Sequence, residues 1–183
     1  MFPRSSLPAL TAIAALALLA LPVFAQAPEP PGFGIPNAIQ PEEGLLLGGQ
    51  PTAKQLKAAA KAGYQTVIDL RPLAEDHGFD EEKAARKAKL EYTNIGVTPD
   101  TLDASTIKYF LTVLSNAERP ALIHCSSGNR AGGLYYAWLV LENGMPEDQA
   151  MEQAQAAGLR DPELGERVRT LVDELKASRR PKP

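Results

Sequence analysis

One cysteine, Cys125, and two histidines, His77 and His124, are all that this chain of 183 residues has of those two residue types. A lone cysteine cannot form an internal disulfide, so the fold is not stapled. The histidines stand far apart, and one cysteine beside them makes no metal-ligand spacing. A nucleotide-binding glycine motif is missing too. No metal or cofactor is therefore expected. A strong excess of one charge is also lacking, since 19 basic residues against 22 acidic ones leave a net −3. That balance argues against a nucleic-acid partner.

What is present begins with a targeting signal. Arg4 supplies a positive start, Leu7 to Leu21 is an apolar run, and Val23-Phe24-Ala25 has the small-x-small form of a cleavage site. The run is short for a membrane span of about 20 residues, and Pro22 follows it directly. No cysteine follows the run, so a lipid anchor has no attachment residue. Residues 1–25 are thus expected to be a signal peptide cleaved after Ala25. The product would be secreted or periplasmic, with no stable membrane insertion. About 158 residues remain, enough for one domain with a core and too few for two. A lone thiol in an oxidising compartment is a liability unless it is used, which points to Cys125.

Residues 26–43 are rich in Pro and Gly and read as a flexible leader. The domain is expected to span 44–178, with a basic tail at 179–183. Gly44 to Leu47 reads as a first strand that breaks at Gly48-Gly49. Thr52 to Gln55 has the form of a capping box, opening a helix that ends at Gly63. Gln65 to Leu70 is a β-branched apolar strand closed by Arg71-Pro72. Asp80 caps a charged helix to about Lys89, and Glu91 to Val97 is the next strand. A helix from about Asp103 to Asn116 carries Ile107, Phe110, Leu111 and Leu114 on one face. Ala121 to His124 is the last strand. Three helices follow: Ala131 to Asn143, Pro146 to Ala157, and one opened by Asp161-Pro162. In the first of these, Gly132-Gly133 is poor helix material, and the small residues suit close packing on the sheet. Strands alternating with helices predict an α/β fold of three layers, with a small, largely parallel central sheet. In such folds ligands sit beyond the strand C-termini, where Cys125 falls.

The segment Cys125-Ser126-Ser127-Gly128-Asn129-Arg130 combines parts suited to attack on an anionic centre. Cys125 is the candidate nucleophile. Ser126, Ser127, Gly128 and Asn129 form a loop whose backbone N–H groups cradle an anion. Arg130, at a helix start, is the candidate clamp; a bound anion explains a cation in that unfavourable position. His124 faces away from Cys125 along the strand, so direct contact between the two side chains is not expected. Arg71 reads as a structural salt-bridge residue and His77 as a surface loop residue.

These residues resemble the Cys-dependent protein tyrosine and dual-specificity phosphatase superfamily. In order, Gly49-Gln50-Pro51-Thr52, Val67-Ile68-Asp69-Leu70-Arg71-Pro72 and Ile123-His124-Cys125, with three helices behind, resemble a bacterial phosphatase-like group. That group is related to the N-terminal domain of beta-lactamase-hydrolase-like proteins. Glu147 to Arg160 is similar to the helices behind the loop in small dual-specificity phosphatases. The resemblance implies hydrolysis of a phosphate ester through a phosphocysteine, with a phosphorylated or other small anionic substrate. It places the general acid at Asp100, with Asp103 second and Glu75 or Asp76 behind; the other reading of Asp100 and Asp103 is helix capping. Two features depart from the superfamily. The loop is Cys-x4-Arg, not Cys-x5-Arg, and Ala131 stands where a hydroxyl residue is usual. Rhodanese-like sulfurtransferases share the shorter loop, so sulfur transfer through a Cys125 persulfide is the alternative. A non-catalytic anion-binding module is a third.

Overall fold

Five short strands make one sheet in the order β1-β2-β5-β3-β4. The computed structural model describes residues 32–179; the expected signal peptide, the start of the leader and residues 180–183 lie outside them. The strands are β1 (Ile39–Glu42), β2 (Leu45–Gly48), β3 (Thr66–Asp69), β4 (Glu91–Asn94) and β5 (Ala121–His124). The helices are α1 (Ala53–Lys61), α2 (Glu81–Lys87), α3 (Ala104–Asn116), α4 (Asn129–Leu141), α5 (Glu147–Ala156) and α6 (Pro162–Arg179). All pairings are parallel except β1 with β2.

The apolar runs of β2, β3 and β5 are buried on both faces, as parallel strands sandwiched by helices require. Alternation along each strand sorts the side chains into two cores. Leu46, Val67 and Leu122 face Leu56 and Ala59 of α1 and Ala85 of α2. Leu45, Leu47, Ile68 and Ile123 face the other way, into the larger core beneath α3 to α6. This is the expected three-layer α/β arrangement. The capping box of α1 forms as read, with Thr52 and Gln55 bonding reciprocally.

Part of the predicted leader is not loose. Residues 39–42 form β1, which folds back on β2 through the Glu43-Gly44 turn, Gly44 having φ +75°. Ile35, still earlier, is 4% exposed in the α1-side core. The Pro and Gly residues there shape turns around an edge strand, a position that tolerates them. At the other end Arg179 belongs to α6 and donates to the Leu141 carbonyl and Glu142.

The small residues at the start of α4 serve a contact other than the sheet. A Cβ on Gly132 would stand 2.4 Å from the Leu159 nitrogen and 3.0 Å from the Ala154 oxygen, at the α5–α6 turn. Gly133 faces Leu164 and Val168 of α6. The missing side chains let α4 lie against the turn that follows α5. Because the obstacle is backbone, Gly132→Ala is expected to lose about 3 kcal/mol or more of stability, as overpacked cores do. A urea midpoint unchanged from wild type would contradict this.

Candidate active site

β5 runs between β2 and β3 and ends at His124, so Cys125 stands at the C-terminal edge of the sheet's centre. The Cys125 N–H continues the ladder to the Gly48 carbonyl (3.3 Å), and the residue is 1% exposed. Gly128, the N-cap of α4, has φ +89°, a conformation that favours glycine. That turn aims its N–H at the Cys125 Sγ, 3.1 Å away.

The loop's carbonyls are spent on neighbours. Ser126 O accepts from the Gln50 N–H, and Ser127 O accepts from Asn37 and Arg160. The amides of Ser126, Ser127, Asn129, Arg130 and Ala131 find no acceptor among the described residues. Such unspent N–H groups at a helix start favour an anion. Asn129, expected in the loop, is the first residue of α4. Its Oδ1 accepts from the Arg160 and Asp161 N–H groups, tying the α5–α6 turn to the site.

Arg130 is held from three sides. Its Nη2 donates to both carboxylate oxygens of Glu75 (2.9 and 2.8 Å) and to Ser126 Oγ (3.1 Å). Its Nη1 donates to the Val97 carbonyl (3.1 Å). Beside it opens a cleft of about 710 Å³, lined by Val97, Pro99, Leu102 and Leu164 on its apolar part and by Asp161, Glu163 and Arg167 on its charged part. Glu75, one of the outlying acid candidates, is thus the partner that orients Arg130. Asp76, the other, accepts from the Gly78 N–H and closes a turn.

The two leading acid candidates separate. Asp103 caps α3, and hydrogen bonds from the Ser105 hydroxyl and the Thr106 N–H lower its pKa to about 2. Its side chain is committed to the helix cap and to the Ser105 hydroxyl. Asp100 is exposed and makes no polar side-chain contact among the described residues. It rides a turn locked by reciprocal bonds between Thr98 and Thr101, and Thr98 and Pro99 line the cleft. Asp100→Asn is expected to lower kcat on an alkyl phosphate by about 10²-fold. Asp103→Asn, which retains a capping side chain, should leave kcat within about twofold. Wild type should then lose stability relative to Asp103→Asn as pH falls from the ordinary carboxylate range towards about 2. Equal losses of kcat in both variants would refute the assignment.

Behind the loop lies a buried charged cluster, of which the sequence disclosed only Arg71, as a salt-bridge residue. His124 is fully buried, with Nδ1 3.4 Å from the Cys125 carbonyl. Its Nε2 lies 2.8 Å from Glu81 Oε1, an ion-pair distance, but out of line for a hydrogen bond. Arg71, also fully buried, bonds to Asp69 through Nε and Nη2 (2.9 Å each) and to Glu81 through Nη2. Burial alone would raise the Asp69 pKa, but the bonds and charge of Arg71 and the proximity of His124 hold it below the usual range. The Tyr92 hydroxyl donates to Asp69 (2.9 Å), and burial, then that carboxylate, pushes the Tyr92 pKa up. His77 is not a free surface residue: it packs half-buried, with Nε2 3.1 Å from the Pro72 carbonyl. Asp69, His77 and Glu81 bring ligand-type atoms within 4.8 Å of one another. The Arg71 guanidinium already bridges the two acids there, so it supplies the cation. Asp69 was the available signal, as an acid inside an apolar strand. Glu81 was hidden because it looks like an ordinary first-turn helix acid.

A family described as DSP-PTPase phosphatase fused to NAD+ kinase matches residues 32–168. A beta-lactamase hydrolase-like protein of Xylella fastidiosa is 33% identical over 120 residues, covering 63% of this chain and 28% of that one. Its counterpart in Agrobacterium fabrum is 31% identical over 103 residues, covering 54% and 24%. The chain thus matches about a quarter of the length of these curated relatives. P. aeruginosa TpbA, solved in complex with pTyr, superposes with a TM-score of 0.64 at 21% identity, over 86% of this chain and 96% of that one. A DUF442 protein of Shewanella putrefaciens CN-32 gives 0.65 at 23%, over 79% and 92%. At these identities the structural likeness is one of fold. Among the described residues no helix is long and apolar enough to cross a membrane.

Proposed function

We propose a function that proceeds from one fact: this chain belongs to the DSP-PTPase phosphatase family. The protein hydrolyses a phosphate monoester through Cys125. The observation that carries this is the Cys125 sulfur, bonded by the Gly128 N–H, at the base of a loop with five unspent amides beside Arg130. The thiolate attacks phosphorus and forms an S–P bond as the ester P–O bond breaks. Asp100 protonates the departing oxygen. The loop amides and Arg130 stabilise the charge on the three equatorial oxygens. Water then attacks phosphorus, breaks the S–P bond and releases phosphate. With Ala131 in place of a hydroxyl residue, the Gly128 N–H is the hydrogen bond that helps the thiolate leave. The apolar cleft walls suit an aryl ester, and the pTyr complex of TpbA supports that substrate class. Residues 1–25 direct the protein out of the cytoplasm.

The Cys-x4-Arg spacing favours sulfur transfer as the second reading. Purified protein is therefore assayed with p-nitrophenyl phosphate and, separately, with thiosulfate plus cyanide. Phosphate release without thiocyanate is expected. Thiocyanate without phosphate release would overturn hydrolysis in favour of a persulfide. Silence in both, with retained phosphate binding, would leave an anion-binding module.

A further inference from the structure

On the outer side of the α1/α2 layer lies a groove of about 620 Å³ that phosphate hydrolysis does not use. Lys54, Lys57 and Lys61 of α1 line one wall, and Lys87 and Lys89 at the end of α2 line the other. These are five of the chain's nine lysines, in a protein of net charge −3. The floor is alanine, and no acidic residue lines the groove. All five lysines are exposed, and none forms an ion pair among the described residues. Some exposed charges elsewhere are paired, as Arg86 with Glu82 and Lys176 with Glu147. Positions 54, 57 and 61 put like charges on one helical face, which opposes helix stability.

A second observation concerns the backbone. Both helices end in the same motif. At α1 the Gly63 N–H bonds to Ala60 O and the Tyr64 N–H to Ala59 O; at α2 the Lys89 N–H bonds to Arg86 O and the Leu90 N–H to Ala85 O. This cap needs a left-handed residue, normally glycine. The first helix has Gly63 at φ +96°, but the second has Lys89 at φ +64°. A lysine held there against its backbone preference points to a use for the side chain.

We propose that this groove docks an acidic, extended peptide segment of a partner protein. Its walls run the length of α1, about 13 Å for nine residues. That matches about four residues of extended chain. Alternating acidic side chains would meet lysines on both walls while the backbone lies over the alanine floor. A flat bilayer would touch the lysine tips without filling the groove, and no large apolar side chain lines the groove to enter it. The proposal is independent of the chemistry at Cys125.

The test is fluorescence anisotropy of labelled octaglutamate with the purified chain, in low and physiological salt. Wild type should bind, more weakly as salt rises. The triple variant Lys57→Glu, Lys61→Glu, Lys87→Glu should bind about tenfold or more weakly, with its circular dichroism spectrum and p-nitrophenyl phosphate activity unchanged. Lys89→Gly should melt at higher temperature yet bind octaglutamate more weakly, separating a ligand role from a structural one. No binding by wild type, or equal binding by the triple variant, would overturn the proposal. So would Lys-dependent binding seen only with phosphatidylglycerol vesicles, or a groove-dependent dimer in sedimentation.

Discussion

Cys125→Ser is expected to lower the rate of aryl phosphate hydrolysis by about 10⁴-fold or more, the scale of losing a nucleophile. A serine hydroxyl is far less ionised than a thiol, and its bond to phosphorus is harder to break in the second step. The adjacent Ser126 hydroxyl does not substitute, because it is engaged by Arg130 Nη2. The substitution is nearly isosteric at a buried site, so the thermal midpoint should shift by only a few degrees. Phosphate binding should survive within about threefold, since the amides and Arg130 are untouched. Acid quench of wild type with labelled substrate should trap a phosphoprotein that the variant does not form. A Cys125→Ser enzyme with wild-type turnover would remove Cys125 from the chemistry.

Arg130→Lys is expected to lower kcat/KM by about 10³-fold, equivalent to roughly 4 kcal/mol of transition-state stabilisation. The loss is geometric, because both side chains are cationic. Arg130 holds Glu75, Ser126 Oγ and the Val97 carbonyl at once with one rigid, planar guanidinium. An ammonium is a point charge with three donors, so it can pair with Glu75 or face the phosphoryl group, but it does not bridge them. The charge on the equatorial oxygens changes most in the transition state, so kcat should fall more than KM rises. A variant with raised KM and intact kcat would make Arg130 a binding residue only.

The reach of the sequence differed from element to element. Thr52 and Gln55 announced α1, and Asp103 and Asp161 announced the starts of α3 and α6, because caps act through bonds a few residues long. β1 was missed because its partner, β2, and not its composition, makes it a strand. Gly132 stood out as anomalous, yet its neighbour, the Leu159 backbone, lies 27 positions on, so the reason for it was not readable.

The same division governs the site. The sequence alone determined the α/β class and the position of the Cys125–Arg130 segment past a strand end and at a helix start, because strand, turn and helix start are local properties. Only the tertiary structure decided the roles of the acids. It assigned Glu75 to Arg130, Asp103 to a helix cap, Asp69 and Glu81 to the buried cluster behind His124, and left Asp100 exposed, without a side-chain partner among the described residues. A carboxylate's chemistry depends on the groups it meets, and those arrive from distant parts of the chain.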